Sequence, residues 1–352
     1  MLEKPDFKDE RLLAYLRREY GLPFTRATLL PLGADFDAAV YQLAAADGRA
    51  YFLKLRRGLF ADISVSLPRF LHDQGIREVT APLPTRNGGL WGQWEACHLV
   101  LYPFVEGQNG FETSLQKHHW VAFGTALKRI HHLSLPPNLQ GKIRRETYSP
   151  QFRQKVLAYQ SQIWAGTQGD PLAARLATLL KTHWQAVHQL IDRAAQIGAA
   201  LQERELQTVL CHADLHAGNL LVGPETGLVI VDWEAPLLAP KERDLMFIGA
   251  GVGGVWNRPQ ESAWFYQGYG PVEIHSLVLA YYRCERIVED IAVTCDLIFQ
   301  PAENKDNPTV GDDREEGLAQ LKNQFLPNNV VEIAQETYRQ MQAGRLKGHR
   351  PD

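Results

Sequence analysis

Two aspartates and one asparagine are spaced in a way that suits the transfer of a phosphoryl group. Asp214 follows the short apolar stretch 208–210, Asn219 comes five residues later, and Asp232 follows a second apolar stretch, 228–231. In such transfers one carboxylate accepts the proton of an attacking hydroxyl, while an amide oxygen and a second carboxylate bind Mg²⁺ against the phosphates of a nucleotide. The spacing therefore predicts Asp214 as the catalytic base and Asn219 and Asp232 as metal ligands.

The same spacing is typical of the protein-kinase catalytic core, in which a hairpin separates the asparagine from the second aspartate. A His-x-Asp triplet alone is a weak signal, but Asn219 and Asp232 at the right positions argue against chance. Protein kinases carry arginine directly before the catalytic aspartate, whereas this chain has Ala213. That difference favours a kinase of small molecules. We interpret His212 as a buried residue that braces the loop rather than as a proton carrier.

Lys54 is the predicted contact for the α- and β-phosphates of ATP. It alternates with apolar residues in the segment 51–55, a pattern typical of a strand, and the lysine of this strand binds phosphates in a kinase core. A lysine on a solvated strand face is the competing interpretation. Asp62, at the start of the next predicted helix, and Glu78 are both candidates for its acidic partner, although Asp62 is equally well explained as a helix cap.

Two further segments are candidates for binding the nucleotide. Gly33 follows the predicted strand 28–32, and backbone N–H groups at a glycine turn can contact a triphosphate; an ordinary hairpin explains one glycine as well. Residues 95–105 form a predicted buried strand that leads to the hinge of a kinase core. Pro103 lacks an N–H, so backbone groups around Tyr102, Phe104 and Val105 are the predicted adenine contacts.

Strand and helix patterns divide the chain into two lobes. A short helix in 6–20 precedes strand patterns up to residue 104, and helical spacing dominates afterwards, notably in 172–191 and 276–299. Residues 301–316 are predicted to be a loop. The predicted fold class is α+β, with a nucleotide-binding lobe at 1–104, a catalytic and substrate-binding lobe at 105–342, and a flexible tail at 343–352.

Composition narrows the class of protein. With a net charge of −3, the 352-residue chain lacks the basic excess that nucleic-acid binding needs. Its four cysteines form no C-x-x-C pair, which fits a reducing compartment, and no apolar run approaches the ~18 residues of a membrane span. We expect a cytoplasmic protein, a monomer or weak dimer, whose partners are a nucleotide and a small molecule, with no nucleic acid and no membrane.

Beyond these residues, the chain resembles the aminoglycoside phosphotransferase family, and within it the spectinomycin phosphotransferases. The resemblance covers residues 1–335, and its most specific parts are Ala239–Gly249 and Arg286–Val293. Other matching segments are Phe52–Leu55, Asn109–Phe111, Leu210–His212, His216–Asn219, Gly251–Gly253 and Val255–Asn257. Two features depart from it: the shorter Asp62 stands where the acidic partner of Lys54 is expected, and no counterpart is found after residue 335.

The resemblance implies a bilobal protein-kinase-like fold, with a small β-rich lobe and a larger, mainly helical lobe. It implies transfer of the γ-phosphate of ATP, with Mg²⁺ as cofactor, to a hydroxyl of an aminocyclitol antibiotic, most specifically spectinomycin, and hence antibiotic resistance. By the same resemblance, Asp214 is the base, Asn219 and Asp232 bind the metal, and Lys54 binds phosphates.

An aminocyclitol carries ammonium groups, which favour carboxylates and aromatic walls. The candidate acceptor contacts are Glu234, Trp256, Tyr282, Glu289 and Asp290. The alternative function is a kinase of a cellular amino alcohol or sugar, such as choline or homoserine, because one fold serves many acceptors. A catalytically silent nucleotide-binding module is disfavoured, since all four residues of the predicted catalytic core are present.

Overall fold

The computed structural model describes residues 9–30, 38–165, 169–224, 227–300 and 308–344. Its helices are α1 (Asp9–Tyr20), α2 (Ile63–Asp73), α3 (Lys117–His132), α4 (Pro137–Gln140), α5 (Gln151–Ala158), α6 (Gln160–Ala165), α7 (Pro171–Gln202), α8 (Glu242–Leu245), α9 (Pro259–Tyr269), α10 (Ser276–Phe299), α11 (Pro308–Gln324) and α12 (Val330–Gln342). Its strands are β1 (Phe24–Leu30), β2 (Ala38–Ala45), β3 (Ala50–Arg57), β4 (Gly92–Trp94), β5 (Cys97–Pro103), β6 (Gln108–Asn109), β7 (Arg144–Arg145), β8 (Val209–Cys211), β9 (Leu220–Gly223), β10 (Gly227–Ile230) and β11 (Leu237–Ala239).

The chain divides into two compact units. The first unit comprises Met1–Leu115, Ser134–Ile143 and Gly218–Pro236. The second unit comprises Gln116–Leu133, Arg144–Ala217 and Leu237–Asp352. The lobe boundary predicted after residue 104 therefore differs from these units, because two later segments of the chain belong to the first one. As a result, Asp214 belongs to the second unit, whereas Asn219 and Asp232 belong to the first.

A five-stranded antiparallel sheet, in the order β1-β2-β3-β5-β4, organises the first unit. Along β3 buried and half-buried residues alternate, so that Leu53 and Leu55 pack into a core with Leu12 and Leu16 of α1. Burying each such side chain contributes roughly 1.5–3 kcal/mol. Because side chains alternate between the faces of a strand, Lys54 lies on the face opposite this core.

A smaller sheet, in the order β10-β9-β6, also belongs to the first unit. The hairpin of β9 and β10 confirms the predicted strands on either side of residues 225–226, which lie outside the described residues. At its open end the Val231 N–H donates to the Asn219 carbonyl at 3.0 Å. The Ile230 N–H donates to the carbonyl of Glu78 at 2.6 Å. These bonds fix the chain directly before Asp232.

Helices dominate the second unit, and α10 packs against α5, α7, α11 and α12. The structure confirms the predicted helix at 276–299. Helix α7 begins where Asp170 caps it, since the Asp170 Oδ1 accepts hydrogen bonds from the N–H groups of Leu172 and Ala173, at 2.9 and 3.2 Å. Pro171 at the first helical position has no N–H to satisfy, which favours the same start.

The prediction of a loop over 301–316 is wrong from residue 308 onward, where α11 begins. The polar composition concealed the helix: within 313–324, the part of α11 whose burial is described, the buried residues are Leu318 and Leu321, one turn apart. Residues 301–307, and 345–352 of the predicted tail, lie outside the described residues. In the part of the chain that the structure describes, no helix is long and apolar enough to cross a membrane.

Candidate active site

The loop that carries Asp214 is held from behind by the carboxylate of Asp244. Ala213 has a φ of 73°, a left-handed conformation that a Cβ atom disfavours. The two oxygens of Asp244 accept hydrogen bonds from the N–H groups of His212, at 2.9 Å, and Ala213, at 2.8 Å. Burial raises the pKa of Asp244, but His131 and the other donors outweigh burial and lower it. The charged carboxylate of Asp244 therefore fixes the loop.

His212 also braces this loop. It is buried, and its Nδ1 lies 3.3 Å from the N–H of Asp214. The group of His131, Cys211 and Asp244 brings potential metal-ligand atoms within 4.8 Å of one another. These atoms are engaged in the protein, since His131 bonds both Asp244 and the Tyr269 hydroxyl, at 3.1 and 2.7 Å. We interpret the group as a structural network.

The side chains of Arg286 and His216, both of the second unit, face the carboxylate of Asp214. The Arg286 Nη1 donates to Asp214 Oδ1 at 2.5 Å, and the His216 Nε2 lies 3.6 Å from Asp214 Oδ2. Burial raises the pKa of Asp214, but the charges of Arg286 and His216 outweigh it and hold that pKa well below its usual range. Asp214 is therefore ionised at neutral pH, as an acceptor of a hydroxyl proton must be.

Asn219 and Asp232 offer oxygen atoms suited to a magnesium ion. Asn219 ends the 3₁₀ turn Ala217–Asn219, and the backbone bond from Val231 connects it to the segment that carries Asp232. Asp232 has a φ of 65°, a conformation that few non-glycine residues adopt and that recurs at functional sites. An amide oxygen and a carboxylate are hard donors, the kind that Mg²⁺ binds. The residues present thus fit the predicted ion.

Lys54 lies beside two carboxylates, those of Glu234 and Asp232. Its Nζ contacts Glu234 Oε1 and lies 3.7 Å from Asp232 Oδ1. On the same face of β3, the Arg56 Nη1 donates to Glu234 Oε2 at 2.7 Å. In this structure the carboxylate of Glu234 thus contacts two cationic side chains of one strand.

These contacts differ from two of the predictions. Glu234 was predicted to contact the acceptor, and Asp62 or Glu78 was predicted to pair with Lys54. Glu234 instead contacts Lys54, whereas the carboxylate of Asp62 accepts a hydrogen bond from Lys142 at 2.6 Å. Asp62 also makes no side-chain cap bond at α2. No local signal of the sequence indicated this pair, because 180 residues separate Lys54 from Glu234.

The predicted adenine contacts lie at the end of β5 and just beyond it. The Phe104 N–H donates to the Ala50 carbonyl at 3.2 Å, so this N–H already belongs to the sheet. Burial, reinforced by Glu234 and Asp232, raises the pKa of the Tyr102 hydroxyl. Tyr102 and Val105 remain predicted contacts. Gly33 lies outside the described residues.

Two of the predicted acceptor contacts are carboxylates on α10. Glu289 lies 3.8 Å from the Arg243 guanidinium, with 27% of its side chain exposed. Burial raises the pKa of Glu289 despite the nearby arginines. Asp290 uses both oxygens within the protein: Oδ1 accepts from Arg286 at 2.9 Å and Oδ2 from Gln324 at 2.7 Å. Glu289 is therefore the better placed of the two to meet a cationic acceptor.

The two predicted aromatic contacts belong to the core of the second unit. Trp256 is 4% exposed and packs its ring against Trp120, with centroids 5.1 Å apart. Tyr282 is 1% exposed, and its ring centroid lies 5.3 Å from that of Tyr281. Both side chains are buried in this core, so neither offers the open aromatic wall that was predicted for the acceptor.

The sequence matches the phosphotransferase enzyme family over residues 28–275. The chain belongs to this family, the aminoglycoside phosphotransferases. The chain is similar to a spectinomycin phosphotransferase, APH(9)-Ia, whose crystal structure is a complex with ADP and spectinomycin. The two sequences are 39% identical, the TM-score is 0.88, and the match covers 95% of this chain and 99% of that one. The AMP-bound complex of the same enzyme is 38% identical, with a TM-score of 0.83 and coverage of 93% and 98%.

More distant relatives bear on the fold alone. An amicoumacin kinase, in complex with AMP-PNP, Ca²⁺ and its ligand, is 15% identical, with a TM-score of 0.59 and coverage of 94% and 97%. A comparison with curated proteins gives no match. The predicted protein-kinase-like α+β fold is confirmed, and this aminoglycoside phosphotransferase family member is an ATP-dependent phosphotransferase that acts on hydroxyl groups.

Glu285 is a buried carboxylate of this phosphotransferase that the sequence analysis did not single out. The Arg153 Nη1 lies 3.3 Å from Glu285 Oε2, but the guanidinium donates its hydrogen bonds to the carbonyls of Ala194 and Tyr148. Among the described residues, neither oxygen of Glu285 accepts a hydrogen bond. Burial raises the pKa of Glu285 to about 7, although Arg153 opposes the shift.

This carboxyl is expected to make stability fall as the pH rises from about 4.5 to 7. Below that window Glu285 is neutral in both the folded and the unfolded state, and above it the folded state carries a poorly solvated charge. Across this window the free energy of unfolding falls by at most about 3 kcal/mol. The free energy of unfolding, measured in urea at pH 5 and pH 8, should fall further for wild type than for Glu285→Gln, whose amide does not titrate. Equal falls would contradict the role of Glu285.

Proposed function

We propose that this phosphotransferase transfers the γ-phosphate of ATP to a hydroxyl group of spectinomycin, with Mg²⁺ as cofactor. The observation that carries the proposal is 39% identity, over 95% of the chain, to a protein whose structure is a complex with ADP and spectinomycin. The identity extends across both compact units, so it includes the predicted acceptor side as well as the nucleotide side.

The residues of the first unit would bind the nucleotide. Lys54 would contact its phosphates, which compete with Glu234 for the ammonium group. The side-chain oxygens of Asn219 and Asp232 would hold Mg²⁺, which when bound neutralises negative charge on the phosphates. Arg56 shares the carboxylate of Glu234, so the displacement of Glu234 by phosphate would also break its contact with Arg56.

The residues of the second unit would bind and activate the acceptor. The carboxylate of Asp214 would accept the proton of the spectinomycin hydroxyl as its oxygen bonds to the γ-phosphorus. The bond from this phosphorus to the bridging oxygen of ATP breaks, and ADP departs with the electron pair. Glu289 would attract an ammonium group of the aminocyclitol, since it supplies a partly exposed negative charge on α10.

The test is an ADP-release assay with Mg²⁺, ATP and spectinomycin, accompanied by mass spectrometry of the antibiotic. We expect spectinomycin-dependent release of ADP and a product that carries one added phosphoryl group. A panel with choline, homoserine and simple sugars covers the alternative acceptors. Turnover on one of these but not on spectinomycin would overturn the assigned acceptor, and the absence of turnover on all of them would overturn the whole proposal.

A further inference from the structure

We infer that Arg286 is a positioning residue for the catalytic base, and that Asp290 and Gln324 act on the reaction through Arg286. The inference rests on the proposed role of Asp214. It assigns Asp290 to the support of the base, in place of its predicted contact with the acceptor.

The first observation is the way in which Arg286 bridges two carboxylates. Its Nη1 donates to Asp214 Oδ1 at 2.5 Å, and its Nε donates to Asp290 Oδ1 at 2.9 Å. A guanidinium group is planar and presents its N–H donors at fixed angles to one another. The bond from Nε to Asp290 therefore fixes the direction in which Nη1 donates to Asp214. Arg286 therefore sets the position of the Asp214 carboxylate relative to helix α10.

The second observation is that Asp290 is itself held. Its Oδ2 accepts a hydrogen bond from the Gln324 Nε2 at 2.7 Å, and Gln324 is the last residue of α11. A continuous series of hydrogen bonds thus runs from α11 through α10 to the loop that carries Asp214. Because both oxygens of Asp290 are engaged in this series, its contribution passes through Arg286.

The third observation concerns Phe247, which lies beside Arg286, and His216, which lies beside Asp214. The guanidinium carbon of Arg286 lies 5.5 Å from the centre of the Phe247 ring, within the range of a cation–π contact. On the other oxygen of Asp214, the His216 Nε2 stands 3.6 Å away. Asp214 is therefore approached from both sides, by Arg286 at Oδ1 and by His216 at Oδ2.

The role is positional rather than chemical, and this determines the expected kinetics. A misplacement of the base by about 1 Å costs on the order of 100-fold in rate. Arg286→Met should therefore lower kcat by about 10- to 100-fold while the KM for ATP stays unchanged, because the nucleotide residues belong to the other unit. Arg286→Lys keeps the charge but cannot bridge both carboxylates, so its kcat should lie between those of wild type and Arg286→Met.

Asp290 provides the decisive comparison. Asp290→Asn should lower kcat without raising the KM for spectinomycin, whereas Glu289→Gln, on the neighbouring residue, should raise that KM. In the double variant Arg286→Met/Asp290→Asn, kcat should be no lower than in Arg286→Met alone, because the two residues act in series. Fold-changes that multiply in the double variant, or a raised KM in Asp290→Asn, would overturn the inference.

A matched control and an activity-independent measurement complete the test. Arg175 pairs with Glu315, and Arg175→Met removes another arginine–carboxylate pair between helices of the second unit, at 2.7 Å; its kinetics should equal those of wild type. The thermal midpoints of Asp214→Asn, Arg286→Met and the double variant should be non-additive, which tests the pair without substrate. Additive midpoints would refute the inference, whereas a wild type inactive on every acceptor would refute the proposed function alone.

Discussion

Replacing Asp214 with alanine should lower kcat for spectinomycin phosphorylation by about 10³-fold, within the range of general-base catalysis. The affinity for ATP should remain close to that of wild type. The reason is that Asp214 acts on the acceptor hydroxyl, whereas the proposed phosphate and metal contacts come from Lys54, Asn219 and Asp232. Initial rates of ADP release give kcat, and isothermal titration of Mg²⁺–ATP gives the nucleotide affinity.

A control for Asp214→Ala is Asp192→Ala. Asp192 also belongs to the second unit, but half of its side chain is exposed and it pairs with His188 on the same helix. Its removal should leave kcat and the ATP affinity unchanged, because exposed pairs of this kind contribute only about 0.2–1 kcal/mol to stability. A kcat for Asp214→Ala within a few-fold of wild type would show that another group takes the hydroxyl proton.

The second large effect is expected from Asp232→Ala. This variant lacks the carboxylate proposed to bind Mg²⁺, so it should weaken the binding of Mg²⁺–ATP by at least about 10-fold and also lower turnover. Because the variant loses a ligand of Mg²⁺ and not a contact with ATP itself, ATP binding measured in EDTA should change far less than binding measured with Mg²⁺. That difference separates the loss of a metal ligand from a general disturbance of the unit.

Asp47→Ala is the control for this second variant. Asp47 lies in the same unit, in the turn between β2 and β3, where it pairs with the exposed Arg49. We expect wild-type binding of ATP at every concentration of Mg²⁺. An Asp232→Ala protein that kept the Mg²⁺ dependence of wild type would remove Asp232 from the metal site.

Local patterns of the sequence predicted the elements that carry the site. The hairpin before Asp232, the strand of Lys54 and the helix of Glu289 follow from alternation and helical spacing within a few residues. The motif from Asp214 to Asn219 is likewise local. Such signals are visible in a single sequence because backbone geometry fixes which nearby residues of a helix or strand share a face.

Contacts between distant parts of the chain escaped the sequence analysis. Lys54 and Glu234 are 180 residues apart, and nothing near Asp62 indicates that its carboxylate meets Lys142 instead. Trp256 and Tyr282 show a related difficulty, because an aromatic residue gives the same local sequence pattern in a core as in the wall of a binding site. Tertiary packing, which a single sequence does not display, decides between these cases.

The contact between Lys54 and Glu234 also bears on how such enzymes can exchange parts by recombination. The two residues lie in one compact unit, although they are 180 residues apart in a chain of 352. A crossover near residue 104 would give a hybrid whose Lys54 came from one parent and whose Glu234, Asn219 and Asp232 came from the other. Parents that differ at these positions should yield poorly functioning hybrids, so the strand of Lys54 and the hairpin before Asp232 are expected to be inherited together.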